Sequence, residues 1–195
     1  MDAPVIPVYA PDAVAQAAAA LRAGGAVVLP TDTVYGLAAL AGNEHVLSAL
    51  KARPPAMPIA VLVADADQGW TLAVELPERS PARLLAERLW PGPLTIVVHR
   101  RGGGTVGLRC PDHDFVRALA AEVGPLPTTS ANRHGEPTPP SASDAAAGLD
   151  GAPALVIDGG RCEGLASTVV DATGDAVSIV RLGALSSEAI SAVLT

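Results

Sequence analysis

Short apolar runs that end in polar or proline- and glycine-rich loops alternate with capped helical segments along nearly the whole chain. That alternation restricts the fold most, because interleaved strands and helices specify a sheet with helices packed against it. Residues 5–9 read as a first strand. Asp12 can cap a helix over 13–23, stopped by Gly24-Gly25. Residues 26–30 are apolar without alternation, the mark of a strand buried on both faces. Asn43 can cap a helix through Ala52, ended by Pro54-Pro55, and 59–63 reads as the next buried strand. Ser80-Pro81 starts a helix to Leu89 with proline at its first position. Strands over 94–99 and 105–109 flank the hairpin-like loop Arg100-Arg101-Gly102-Gly103-Gly104. Asp112 can cap a helix to Val123, 126–129 is a short strand, and Ser141 or Ser143 can cap the helix after a proline-rich loop. Strands over 154–157, 168–170 and 177–180 cluster late, and Ser186 can cap a last helix to Leu194, with Glu188 in its first turn. Helices interleaved with strands, with the late strands clustered, predict an α/β sheet of mixed direction.

Composition narrows this further. Apolar residues are 49% of the chain but aromatics only 3%, so the core must be built from small and β-branched aliphatics. A length of 195 residues suits one domain. The longest apolar run is too short for a membrane span, and Met1-Asp2-Ala3-Pro4 has neither the basic start nor the apolar run of a signal peptide. A cytoplasmic protein with two reduced thiols, Cys110 and Cys162, is the expectation. Histidines 45, 99, 113 and 134 lack zinc spacing and read as solvated, and no metal ligand set is expected. Trp70 and Trp90 are assigned to packing.

The net charge of −7 argues against broad, non-specific affinity for nucleic acid. Yet Lys51, Arg53, Arg109, Arg133, Arg161 and Arg181 lie in or beside loops, whereas Arg22, Arg83, Arg88 and Arg117 fall within predicted helices. That division predicts a positive pocket, suited to a small anion, on an acidic body. Lys51 is the one lysine among thirteen basic residues. A compact ammonium kept where arginine is otherwise preferred is suited to phosphate oxygens.

Polar groups gather where strands end. Pro30-Thr31-Asp32-Thr33-Val34-Tyr35-Gly36-Leu37 follows a buried strand, at the place where α/β folds bind ligands. A turn in which Thr31, Asp32 and Thr33 bond their own backbone is an equal reading. Thr128-Thr129-Ser130-Ala131-Asn132 also follows a strand and carries hydroxyls and an amide. Arg109 closes the strand begun at Thr105, just before Cys110-Pro111, where a guanidinium can clamp a carboxylate through two parallel bonds. Ser167-Thr168-Val169 and Arg181-Leu182-Gly183 repeat the pattern. A P-loop is absent, and the glycine run 102–104 lacks the dinucleotide-binding arrangement.

Together with Lys51-x-Arg53-Pro54 and Trp90-Pro91-Gly92-Pro93-Leu94-Thr95, these motifs resemble the YrdC-like family, specifically its single-domain TsaC type of threonylcarbamoyl-AMP synthase. The resemblance runs from about residue 10 to the end, with the motif-bearing core over about 10–185. It implies a single domain over 1–195, a twisted open mixed sheet with flanking helices, and a concave positively charged pocket. The longer relatives carry an additional C-terminal domain, which is not expected here. The implied activity is that of a nucleotidyltransferase, which makes L-threonylcarbamoyladenylate and pyrophosphate from L-threonine, bicarbonate or CO2 and ATP. That is the first step of threonylcarbamoyladenosine formation at position 37 of tRNAs reading codons that begin with A.

By resemblance, Thr31, Arg109, Thr128 and Ser167 hold threonine. Arg53, Thr105, Ser130, Thr138 and Arg181 hold ATP, and Lys51 and Asn132 complete the family's signature on the phosphate side. Lys51 and Arg53 are the implied catalytic pair. Mg2+ is expected with ATP, and no tightly bound organic cofactor. The implied partner is a threonylcarbamoyl-transferring complex, with tRNA contact weak if direct and no membrane partner. The loop 133–140 is the candidate lid. Met57 and Leu62 depart from some members, so the contacts made at those positions are not carried over. The alternative reading is a non-catalytic module that binds tRNA or double-stranded RNA; the acidic balance and scarcity of aromatics weigh against it.

Overall fold

Val28 has no solvent exposure on either side of its strand, and its neighbours Val27 and Leu29 pack into a different core from its own. That two-sided burial organises the sheet. The computed structural model describes residues 3–52, 59–162 and 164–195; Arg53 and Met57 lie outside them. Among the described residues the strands are β1 (Val5–Pro7), β2 (Val27–Leu29), β3 (Gly36–Ala38), β4 (Ala60–Leu62), β5 (Leu94–His99), β6 (Thr105–Arg109), β7 (Leu126–Ser130), β8 (Leu155–Asp158), β9 (Thr168–Asp171) and β10 (Ser178–Arg181). They form one ten-stranded sheet in the order β1-β8-β2-β3-β7-β4-β6-β5-β9-β10. Pairs β1–β8, β2–β8, β4–β6 and β5–β9 are parallel and the rest antiparallel, so the expected mixed α/β sheet is found.

The helices are α1 (Ala13–Arg22), α2 (Glu44–Leu50), α3 (Ala66–Trp70), α4 (Pro81–Leu89), α5 (Asp114–Val123), α6 (Ala142–Ala147) and α7 (Ser187–Leu194). Ser80, Ser141 and Ser186 cap α4, α6 and α7 as expected, each hydroxyl accepting a backbone N–H three residues on. Three expected caps differ: Asn43 precedes α2 but its side chain makes no cap hydrogen bond. Asp12 precedes α1 but accepts from the Gln16 side chain at 2.8 Å instead of a backbone amide. His113, not Asp112, is the cap position of α5.

Two further elements depart from the sequence expectation. β3 occupies the end of the motif read as a loop, and α3 was not anticipated. β3 contains a glycine and is three residues long, so propensity hides it. Its glycine is required: a β-carbon at Gly36 would stand 2.9 Å from Thr128 Cγ2 on the neighbouring strand. α3 is five residues with its own glycine, too short to show a helical period.

The helices cover the sheet unevenly. Side chains of β2, β3, β4, β7 and β8 pack on one face against α1 and α5, through Leu21, Val116, Leu119 and Ala120. On the other face β2, β3 and β8 pack against α2 and α6, through Leu47, Leu50, Ala142 and Ala145. At the opposite end of the sheet, Leu94, Ile96, Val98, Leu108 and Val170 pack against α4 and α7. Side chains alternate along a strand, so the reverse face of β5, β6 and β9 presents Thr95, Val97, Gly107, Arg109, Val169 and Asp171. None of these belongs to a hydrophobic cluster. That half of the sheet is covered on one side only. Residues 59–61, expected as a fully buried strand, are half-buried because they lie where the cover ends.

Trp70 and Trp90 pack as expected, stacked with ring centroids 5.6 Å apart, and the Arg83 guanidinium lies 5.6 Å from the Trp70 ring. Leu119 has no exposure in the core between the sheet and α5. Leu119→Ala should cost about 2–5 kcal/mol in a urea denaturation series.

Candidate functional site

The register places four of the sequence-predicted residues, Thr105, Arg109, Thr128 and Ser130, on this face of the sheet. Thr128 pairs with Ala60, Ala60 with Gly107, and Gly107 with Val97, so these four form one row across the sheet. Thr105 and Arg109 lie two residues either side of Gly107 on β6 and share its face. Ser130 lies two residues beyond Thr128, and because β7 runs against β6 it lies on the Thr105 side of that row. Thr105 is exposed at the start of β6, about 13 Å of strand from Arg109.

Arg109 is the most constrained of these groups. Its Nε donates to Gly92 O at 3.3 Å, Nη1 to Thr33 Oγ1 at 2.9 Å and Nη2 to Asp32 Oδ1 at 2.5 Å. The turn after β2 therefore folds over the open face to meet the far end of β6. The arginine side chain is 7% exposed and that of Asp32 12%. Burial pulls the Arg109 guanidinium below its ordinary value; Asp32 opposes this, and the like charge of Arg181 adds to it. A guanidinium has five N–H donors. Three are used, which leaves one on each terminal nitrogen for a ligand.

Arg181 and Ser167 stand beside it. Arg181 Nη2 donates to Ser167 O at 2.8 Å, and Ser167 Oγ shares a hydrogen bond with Thr95 Oγ1 at 2.8 Å. Gly183 permits this closeness, since a β-carbon there would sit 2.1 Å from Ala166 O. The segment after β10 is bound down by Thr168 Oγ1, which donates to Leu185 O and accepts from the Gly183 and Leu185 amides.

Thr31 takes the self-bonded turn. Its Oγ1 accepts the Thr33 and Val34 amides at 3.1 Å and lies 2.6 Å from Val34 O, so the hydroxyl is committed to turn shape. Thr128 Oγ1 likewise donates to Leu126 O at 2.9 Å. Asp32, Thr33 and Thr95 were not singled out by sequence reasoning as binding residues. The signal was present in the run Thr31-Asp32-Thr33, but only tertiary structure shows which of its side chains faces Arg109. Tyr35 anchors the turn from behind, donating to Gly160 O at 2.6 Å and accepting from Gly159 N at 3.1 Å; burial pushes its phenol up to about 12.

Lys51, at the C-terminal end of α2, is 3% exposed. Its Nζ donates to Ser130 O, to Ser130 Oγ at 3.3 Å and to Asn132 Oδ1 at 3.0 Å. Asn132 in turn donates to Arg133 O and Glu136 O, and the Lys51 carbonyl accepts from His134 N at 3.2 Å. The lysine thus ties α2 to the loop after β7. Thr138 is half-buried further along that loop.

His45, His99 and His134 are exposed, as expected of solvated histidines. His113 differs: it is half-buried, edge-on to Phe115 at 6.5 Å between centroids. Burial lowers its imidazole below 6.5, against the charges of Asp32, Asp114 and Asp112 and with that of Arg117. Cys110 and Cys162 are free thiols, and burial raises Cys110 to about 11. Among the described residues no group of three or more acidic, histidine or cysteine side chains is placed to hold a metal, and no helix is long and apolar enough to cross a membrane.

Residues 19–183 match the family profile Sua5/YciO/YrdC, described as "Telomere recombination". The chain belongs to this family. A putative threonylcarbamoyl-AMP synthase of Mycobacterium tuberculosis H37Rv is 38% identical over 194 residues, covering 93% of this chain and 88% of the relative. The threonylcarbamoyl-AMP synthase of Bacillus subtilis is also 38% identical, over 93% of this chain but 56% of its own length. The crystal structure of Pyrococcus abyssi Sua5 complexed with L-threonine superposes with a TM-score of 0.85 at 36% identity, over 93% of this chain and 57% of that one. The chain thus spans little more than half of some relatives and most of others.

Two predictions follow from this geometry. Lys51→Met leaves the Asn132 amide oxygen and the Ser130 carbonyl without their cation and should cost about 2–4 kcal/mol of stability by urea unfolding. Lys51→Arg should fail to restore it, because a planar fork does not fit a tripod of acceptors. The second concerns acid. A histidine whose folded value is depressed stabilises above its unfolded value of 6.5 and loses that contribution as pH falls through its lower folded value. Between pH 7 and 5 the melting temperature should therefore fall less steeply for His113→Asn than for the parent chain.

Proposed function

We propose that this chain makes L-threonylcarbamoyladenylate and pyrophosphate from L-threonine, bicarbonate or CO2 and ATP; relatives in bacteria, archaea and mammals carry the name threonylcarbamoyl-AMP synthase, which supports the reading. The observation that carries this reading is the pairing of Arg109 and Arg181 around Ser167 on the uncovered sheet face, with the Lys51–Ser130–Asn132 network beyond it.

The two remaining N–H groups of Arg109 suit a carboxylate, which places the amino acid at this end of the face. Ser167 and Thr128 border the same place, and Thr31 acts through the turn it shapes. Arg181 faces outward and offers its guanidinium to a phosphate. Thr105 and Ser130 lie farther along the face and, with Asn132 and Thr138 of the loop after β7, are assigned to ATP. Arg53 joins them by its place in the motif. Lys51 contributes as the cation that shapes Ser130 and Asn132. Mg2+ enters with ATP as substrate, retaining water and phosphate ligands of its own.

The threonine amine attacks carbon of CO2, a C–N bond forms and the nitrogen loses a proton to solvent. A carbamate oxygen then attacks the α-phosphorus in line; the P–O bond to the β-phosphate breaks and pyrophosphate leaves with the electron pair. No side chain forms a covalent bond, so catalysis rests on positioning and fixed positive charge. The carbamate is labile to water, and the loop 133–140, hinged on Asn132, is assigned as the cover. The product is consumed by a threonylcarbamoyl-transferring complex acting on position 37 of tRNAs that read codons beginning with A.

Pyrophosphate release should require threonine, bicarbonate and ATP together when each is omitted in turn. Release that ignores threonine, or RNA binding with no release, would overturn the assignment. Arg181→Met, an exposed position, should raise the KM for ATP by about tenfold or more with a smaller change for threonine.

A further inference from the structure

Among the described residues, two buried polar side-chain atoms have no hydrogen-bond partner: Asp32 Oδ2 and His113 Nδ1. They lie in one neighbourhood. Asp32 gives its other oxygen to Arg109, and His113 follows Arg109 by four residues. Gly159 is wedged between the two segments: a β-carbon there would stand 2.7 Å from Pro30 Cγ and 3.9 Å from His113 Nε2. After burial, the charge of Asp32 is the largest influence on the His113 imidazole. Asp32 thus gives one oxygen to the arginine, while the other is closed from solvent.

We propose that a single buried water joins Asp32 Oδ2 to His113 Nδ1, making His113 a positioning residue for Arg109. Two unsatisfied buried groups are the ordinary condition for an internal water. Water can donate to both atoms at once, or accept from Nδ1 and donate to the carboxylate, so the link stands in either imidazole tautomer. The chain of contacts then runs from His113 through water and Asp32 to the guanidinium. Without the inner contact, Asp32 is held from one side only, and the orientation of the Arg109 fork relaxes with it. His113 does not touch substrate. Its effect is confined to the carboxylate end of the site.

This inference rests on the reading of Arg109 as the threonine ligand, and two measurements separate its failure from failure of that reading. In steady-state kinetics of the full chain, His113→Phe should raise the KM for threonine by about tenfold and leave the KM for ATP unchanged. His113→Asn, which can still hydrogen-bond, should recover most of the loss. In an Asp32→Asn background, His113→Phe should add nothing further. Equal shifts in both KM values, an unmoved threonine KM, or additive effects would overturn the proposal. The second measurement needs no activity. With 15N-labelled histidine, the Nδ1 resonance of His113 should move on Asp32→Asn while those of His45, His99 and His134 stay. A stationary His113 resonance would also overturn it, whatever the enzyme does with threonine.

Discussion

The buried ion pair between Arg109 and Asp32 fixes one end of this site. It binds the turn after β2 to the end of β6, across strands that are not neighbours in the sheet. Thr33 and Gly92 complete the arginine's surroundings, so two separate loops meet on one guanidinium. A pair this buried adds little net stability, because desolvation offsets most of its attraction. What it provides is orientation: a planar cation held on three sides with donors left over.

A second fixed point lies at the opposite end of the open face. Lys51 was expected to meet phosphate directly. Its ammonium meets Ser130 and Asn132, two residues expected on the same phosphate side, and its carbonyl holds His134. The rarity of the residue still has a physical reason. A tripod of acceptors around a single nitrogen suits an ammonium and not a guanidinium. The charge holds the Ser130 and Asn132 groups together.

Between these points the site exists because the sheet is covered unevenly. Helices α1, α2, α5 and α6 enclose one half from both sides, while α4 and α7 protect the other half from one side. The exposed face would be an unprotected apolar surface if its residues were those of the core. It carries threonine, glycine, arginine and aspartate beside the two valines Val97 and Val169, so polar groups break up the apolar surface.

Local signals made much of this legible in advance. Serine caps and Ser80-Pro81 located α4, α6 and α7, and the glycine run located the β5–β6 hairpin, because those signals act within a few residues. The motif residues Ser130, Asn132, Arg109, Ser167 and Arg181 were legible because polar groups at strand ends have no core to enter. Other features could not be read from neighbours in sequence. β3 is a strand only because β2 and β7 pair with it from both sides, and Pro30 and His113 both come close to Gly159 from distant parts of the chain. Sequence determined which chemistry the chain carries and the order of its elements, since capping and apolar runs are local. Tertiary structure decided which oxygen of Asp32 meets Arg109, which side of the sheet stays open and where the lysine points, since those depend on residues up to about a hundred positions apart meeting in space.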